Sequence, residues 1–128
     1  MGGELTMNIE ACTLIELALS GTVKKYKLPK STELDGKRTK SIVTYSSGKT
    51  EAGATLADPG NAYLRLKRAG DTSEPIKIPL RSLLYSPAYP PLQFQRLEGV
   101  FDWENSSVEF ADAPTAGTVL QLLVVYNP

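Results

Sequence analysis

TVLQLLVVY (residues 118–126) decides the fold. Every residue from Val119 to Tyr126 is apolar except Gln121. The run is rich in β-branched and aliphatic side chains and is far short of the roughly 18 residues needed to span a bilayer. Ala113-Pro114-Thr115-Ala116-Gly117 precedes it and reads as a turn. A strand apolar on both parities belongs in the middle of a sheet or between layers. The reading is therefore a central strand in an all-β domain.

Working back from it, VFDWENSSVEF (100–110) predicts a hairpin turning near Asn105-Ser106. In that hairpin Phe101 and Trp103 face inward and Asp102 and Glu104 share the outer face. LQFQRL (92–97) reads as a strand, and LYSPAYPP (84–91) as a Pro/Tyr loop. EPIKIPL (74–80) sets Ile76, Ile78 and Leu80 on one face. Pro75 and Pro79 lack the amide hydrogen that a ladder needs, which places this strand at a sheet edge. AYLRLKR (62–68) alternates with Leu64 and Leu66 inward, and residues 46–60 read mainly as loop.

TKSIVTYSSG (39–48) is a further strand, preceded by the tight-turn pair Asp35-Gly36. TVKKYKLP (22–29) is a short strand with Tyr26 and Leu28 inward and lysines outward. In residues 8–20, Ile9, Ala11, Thr13, Ile15, Leu17 and Leu19 recur with period two, the mark of a half-buried strand. A helix is the competing reading, because Met7, Ala11, Leu14, Ile15 and Ala18 are helically spaced with Gly21 as a stop. The all-β context favours the strand. Residues 1–7 read as a flexible lead and 8–128 as one domain. The expectation is a single β-sandwich or jelly-roll-like domain of eight or nine antiparallel strands.

The 128 residues suffice for one domain with a real core, and 41% apolar with 22% charged residues fits a folded chain. Formal net charge is zero but unevenly spread. Residues 1–70 hold eleven Lys/Arg against seven Asp/Glu, and residues 71–128 hold three against seven. If the two regions lie on different flanks, copies can meet head to tail. LIELALS (14–20) is too short and too acidic for the apolar region of a signal peptide, and synthesis in a cytoplasm is expected. No membrane association is expected.

The absence of histidine removes the usual general base, the His-containing triads and the commonest transition-metal ligand. Cys12 is the single cysteine and sits in an apolar run, where it reads as a small buried hydrophobe rather than a nucleophile. Asp102 and Glu104 read as ordinary outward polar residues rather than a glycosidase pair, and the acidic turns lack the oxygen density of a calcium loop. No enzyme activity, cofactor or metal is expected.

Two features are candidate interfaces. Lys24, Lys25 and Lys27, with Lys30, Lys37, Arg38 and Lys40, flank a predicted hairpin. Only Tyr26 is near them, so a solvated or partner-facing edge is expected rather than a nucleic-acid site. Tyr85, Tyr89, Pro90 and Pro91 either contact a protein or sugar or cap one end of the sandwich. Asp102 and Glu104 are their acidic counterpart in self-assembly.

VEFADAPTAGTVLQLLVVY (108–126) resembles a pattern in bacteriophage virion proteins: a strand, Ala-Pro-x-Ala-Gly, then a hydrophobic strand ending in Tyr. YKLPKSTELDGKRTKSIVTY (26–45) resembles a segment of structural proteins from phages of Bacteroidetes-type hosts, and FDWENSSVEF (101–110) continues the similarity. The resemblance implies a small β-sandwich component of a virion: a capsid decoration, vertex or minor capsid protein, or a fibre module. It implies partners among other virion proteins and a homo-oligomer, and it brings no catalytic residues. A carbohydrate-binding module using Tyr85, Tyr89 and Trp103 is the alternative.

Overall fold

The computed structural model describes residues 10–45, 48–84 and 96–128. Its strands are β1 (Ala11–Ala18), β2 (Lys25–Lys27), β3 (Arg38–Thr44), β4 (Tyr63–Leu66), β5 (Ile76–Pro79), β6 (Arg96–Val100), β7 (Ser107–Glu109) and β8 (Val119–Asn127). They form two antiparallel sheets of four: sheet A in the order β1-β8-β3-β6, and sheet B in the order β2-β7-β4-β5. Apart from the β4-β5 hairpin, every link between consecutive strands crosses from one sheet to the other. This interlocked double Greek key is jelly-roll wiring.

The period-two pattern at the N-terminal end of the domain forms a strand. Ile15, Leu17 and Leu19 are buried, while Cys12, Leu14 and Glu16 are exposed. β8 is central as expected, flanked by β1 and β3. Its even positions Leu120, Leu122, Val124 and Tyr126 are buried between the sheets. Its odd positions Val119, Leu123 and Val125 are only half-buried, on the outer face. The run is apolar on both parities, but only the even one is buried. β5 lies at the edge of sheet B, as its prolines require. The core between the sheets is dominated by Leu34, Leu64, Leu66, Leu80, Leu120 and Leu122, with Phe101 and Trp103 closing one end.

Two local readings are corrected. No hairpin joins β2 to β3, because β2 belongs to sheet B and β3 to sheet A. The crossover at 28–37 is held by Leu28 and Leu34, both buried, and the chain still turns at Gly36 with φ of 71°. Residues 100–110 are likewise a crossover, not a hairpin. Trp103–Asn105 is a 3-10 turn, which lets Phe101 and Trp103 both enter the core while the chain changes sheets. The turn is tied by Asn105 Nδ2 donating to Asp102 Oδ2 (2.7 Å) and Ser106 Oγ donating to the Asp102 carbonyl (2.8 Å). Of the strand expected at 92–97, residues 96 and 97 belong to β6 (Arg96–Val100), and residues 92–95 lie outside the described residues.

Gly21 closes one end. Its φ is 79°, and a Cβ there would lie 2.8 Å from the Ala116 Cβ. The β1-β2 turn therefore packs directly on the β7-β8 loop, which also holds Leu19 through Leu19 N–H to Thr118 O (3.0 Å) and Gly117 N–H to Leu19 O (3.1 Å).

Candidate functional site

The two outer faces of the sandwich differ in chemistry. On sheet A, strand register places Leu14 of β1, Leu123 of β8 and Val43 of β3 in one row across the sheet. The next outward row is Cys12, Val125 and Ser41. None of these side chains points to the core, whose parity is set by Ile15, Leu122, Val124 and Ile42. Leu14 is 43% exposed, unusual for a leucine at the middle of a strand. The band is rimmed by Glu16 and Gln121 on one side and by Glu10, Asn127 and the Arg38–Glu98 ion pair (3.3 Å) on the other. An apolar centre with a polar rim is the anatomy of a protein interface.

Cys12 was expected to be buried, and it is exposed on this band. The physical reason is parity: β1 buries its odd positions, and Cys12 falls on the even ones.

The outer face of sheet B is polar. Strand register sets Lys27, Ser107, Arg65 and Lys77 in one row across all four strands, with Lys25, Glu109, Tyr63 and Pro79 in the next. Arg65 donates to Glu109 Oε2 at 3.0 Å, and the Lys77 ammonium lies 4.3 Å from the centre of the Tyr63 ring. Lys24, Lys25 and Lys27 are all exposed. Glu109, one of the acidic residues of the 71–128 region, is the register partner of Lys25. The basic and acidic segments therefore interleave at this strand pair rather than occupying separate flanks.

Asp102 is half-buried and Glu104 exposed at the end of the sandwich formed by the β2-β3 and β6-β7 crossovers. Together with Lys30, Ser31, Asp35 and Trp103 they line a hollow of about 100 Å³. Trp103 is 3% exposed, so its ring is core and not a platform for sugar. Its indole nitrogen is buried without a hydrogen-bond partner among the described residues. Tyr85, Tyr89, Pro90 and Pro91 lie outside the described residues.

At the opposite end a shallow cleft of about 530 Å³ opens between residues 55–61 and the β7-β8 loop, with Asp58, Asn61, Asp112 and Thr115 among its walls. Asp58 Oδ1 is engaged by the Gly60 amide at 2.9 Å. Among the described residues no group of three or more His, Cys, Asp or Glu side chains is placed to hold a metal. No helix among them is long and apolar enough to cross a membrane.

Sequence reasoning missed both faces for the same reason. Each row includes residues from strands that are distant in the chain, and only the pairing register aligns them. The one available signal was the odd parity of β8, whose Leu123 and Val125 are more apolar than a solvated face requires. Comparison with protein-family models, with curated proteins and with solved structures finds no match.

Proposed function

We propose that this chain is a non-enzymatic structural protein of a bacteriophage virion, a capsid decoration, vertex or minor capsid component, that assembles through the outer face of sheet A. The observation that carries the assembly reading is the rimmed apolar band of Leu14, Leu123, Val43, Val125 and Cys12. The resemblance of residues 26–45 and 101–126 to virion proteins supports the virion role, and jelly rolls serve in viral capsids. That last support is analogy of fold alone.

The band's first occupant is a second copy of the chain. A two-fold axis along β8 sets Leu123 against its own symmetry mate and Leu14 over Val43 of the other copy. The same axis sets Glu10 over Arg38, because Arg38 pairs with Asn127 and Glu10, one residue beyond the Ala11–Tyr126 pair, continues the β1-β8 register to the same level. Charge therefore complements across the contact that buries the apolar row. At about 4.8 Å between strands and 3.3 Å per residue, the face measures roughly 500 Å² per copy. Two such faces reach only the lower bound of specific interfaces, so the dimer is weak alone and is reinforced by neighbours in a lattice.

Quantitative mass spectrometry of purified particles tests the virion role. Hundreds of copies per particle support decoration, and a handful support a vertex or tail position. Absence from the particle overturns the role.

Glycan recognition, as in a fibre-type receptor-binding module, is the second reading. The cleft lined by Asp58, Asn61, Asp112 and Thr115 favours it, since these side chains are the hydrogen-bonding kind that sugar hydroxyls need. Titration against a glycan panel tests it, with binding expected to be lost in Asn61→Ala and Asp112→Ala.

A further inference from the structure

We infer that the outer face of sheet B binds the phosphate backbone of nucleic acid without regard to sequence. The four strands of this sheet contain four cations, Lys25, Lys27, Arg65 and Lys77, and one carboxylate, Glu109. The residues buried on the inner side, Leu64, Leu66, Ile78 and Val108, fix the parity, so all four cations project outward. Lys27, Arg65 and Lys77 lie in a single row, with Ser107, itself buried, between the first two. Across four strands that row spans about 14 Å, enough for separate cations to meet separate phosphates.

The charges are largely uncommitted. Lys25 and Lys27 are exposed and have no ion pair among the described residues. Glu109 engages Arg65 through one guanidinium nitrogen, leaving the other N–H groups of the fork for a phosphate oxygen. Lys77 stands against the Tyr63 ring, which adds one aromatic surface beside the cations.

The composition of the face separates nucleic acid from an acidic protein. A protein interface has an apolar centre and is depleted in lysine. Sheet A's outer face has that anatomy, and sheet B's does not: apart from Tyr63, Pro79 and the buried Ser107, its strands project only charged groups. Lysine-rich, apolar-poor surfaces suit phosphate chains, where counterion release supplies the free energy. The lysine stretch at 24–40 lacks interleaved aromatics in sequence. Folding supplies Tyr63, Arg65 and Lys77 to Lys25 and Lys27 from segments more than thirty residues away.

Fluorescence anisotropy of the full chain with a labelled twenty-nucleotide single strand tests the inference, with poly-glutamate of equal charge as competitor. Three engaged lysines predict a log–log salt slope near −2, a loss of roughly 20-fold in affinity between 50 and 200 mM salt. The triple variant K25E/K27E/K77E should lose binding while keeping the wild-type melting curve. Leu123→Lys, on the opposite face, should keep binding whether or not it alters self-association, so the two faces are tested separately. No detectable binding at 50 mM salt, a salt-independent affinity, binding retained by the triple variant, or displacement by poly-glutamate as effective as by unlabelled oligonucleotide would each overturn it.

Discussion

Leu14 of β1 and Leu123 of β8 are direct partners in the antiparallel ladder, and both side chains point away from the core. Val43 completes the row from the other side of β8. Facing cross-strand aliphatic residues stabilise a sheet by a few tenths of a kcal/mol or more. That gain does not require leucine to stand in solvent. Covering the row is worth more, at about 25 cal/mol per Å² of apolar surface removed from water.

Cys12 reports on this face. It is exposed and borders Val125, so Cys12→Ala should change monomer stability by no more than about 0.5 kcal/mol. Its thiol should react with a maleimide at the rate of a free cysteine in dilute protein. Labelling should slow as protein concentration rises. A rate independent of concentration over the range in which the chain self-associates would place the contact elsewhere.

Two threonines of β3 should respond oppositely to loss of the hydroxyl. Thr44 Oγ1 donates to the Gln121 carbonyl at 3.0 Å, so Thr44→Val should cost about 1 kcal/mol. Thr39 is fully buried and its hydroxyl has no partner among the described residues. Thr39→Val removes an unsatisfied polar group and should stabilise by about 1 kcal/mol, several degrees in Tm. Urea melts of the two variants decide between opposite signs.

Glycines at similar φ should differ in cost. Gly36→Ala meets no atom within 4 Å and suffers only the strain of its φ of 71°, about 1 kcal/mol. Gly21→Ala adds a 2.8 Å approach to the Ala116 Cβ and should cost roughly 2–3 kcal/mol. Equal melting temperatures would mean that the β7-β8 loop yields without resistance.

A chain ending at Gly117 removes β8 and with it Leu120, Leu122, Val124 and Tyr126 from the core. At about 1.5–3 kcal/mol each, their loss matches the whole stability of an ordinary domain. The truncated chain should be insoluble, and a soluble, cooperatively melting product would contradict the central position of β8.

The sandwich was legible because burial alternates strictly in β1, β4 and β8, and the edge position of β5 followed from Pro75 and Pro79. The crossovers were not. Asp35-Gly36 and Asn105-Ser106 are good turn residues, but turn chemistry alone does not say which sheet the next strand joins. That is settled by buried anchors such as Leu34 and Trp103. The candidate surfaces were less legible still. Lys27 stands far from Arg65 and Lys77 in the chain, and pairing through β7 brings it into the row that the β4-β5 hairpin makes of the other two. The lysines were visible, but their neighbours were not.

Sedimentation velocity over a concentration series, run on the wild-type chain and on Leu123→Lys, tests the assembly account most directly. Leu123 lies at the centre of the apolar row and outside the core, so the variant should keep its fold and melting temperature. The wild type should shift from monomer toward dimer as concentration rises through the micromolar range, and Leu123→Lys should remain monomeric at every concentration. A wild type that stays monomeric throughout, or a variant that associates as the wild type does, would contradict assembly through the outer face of sheet A.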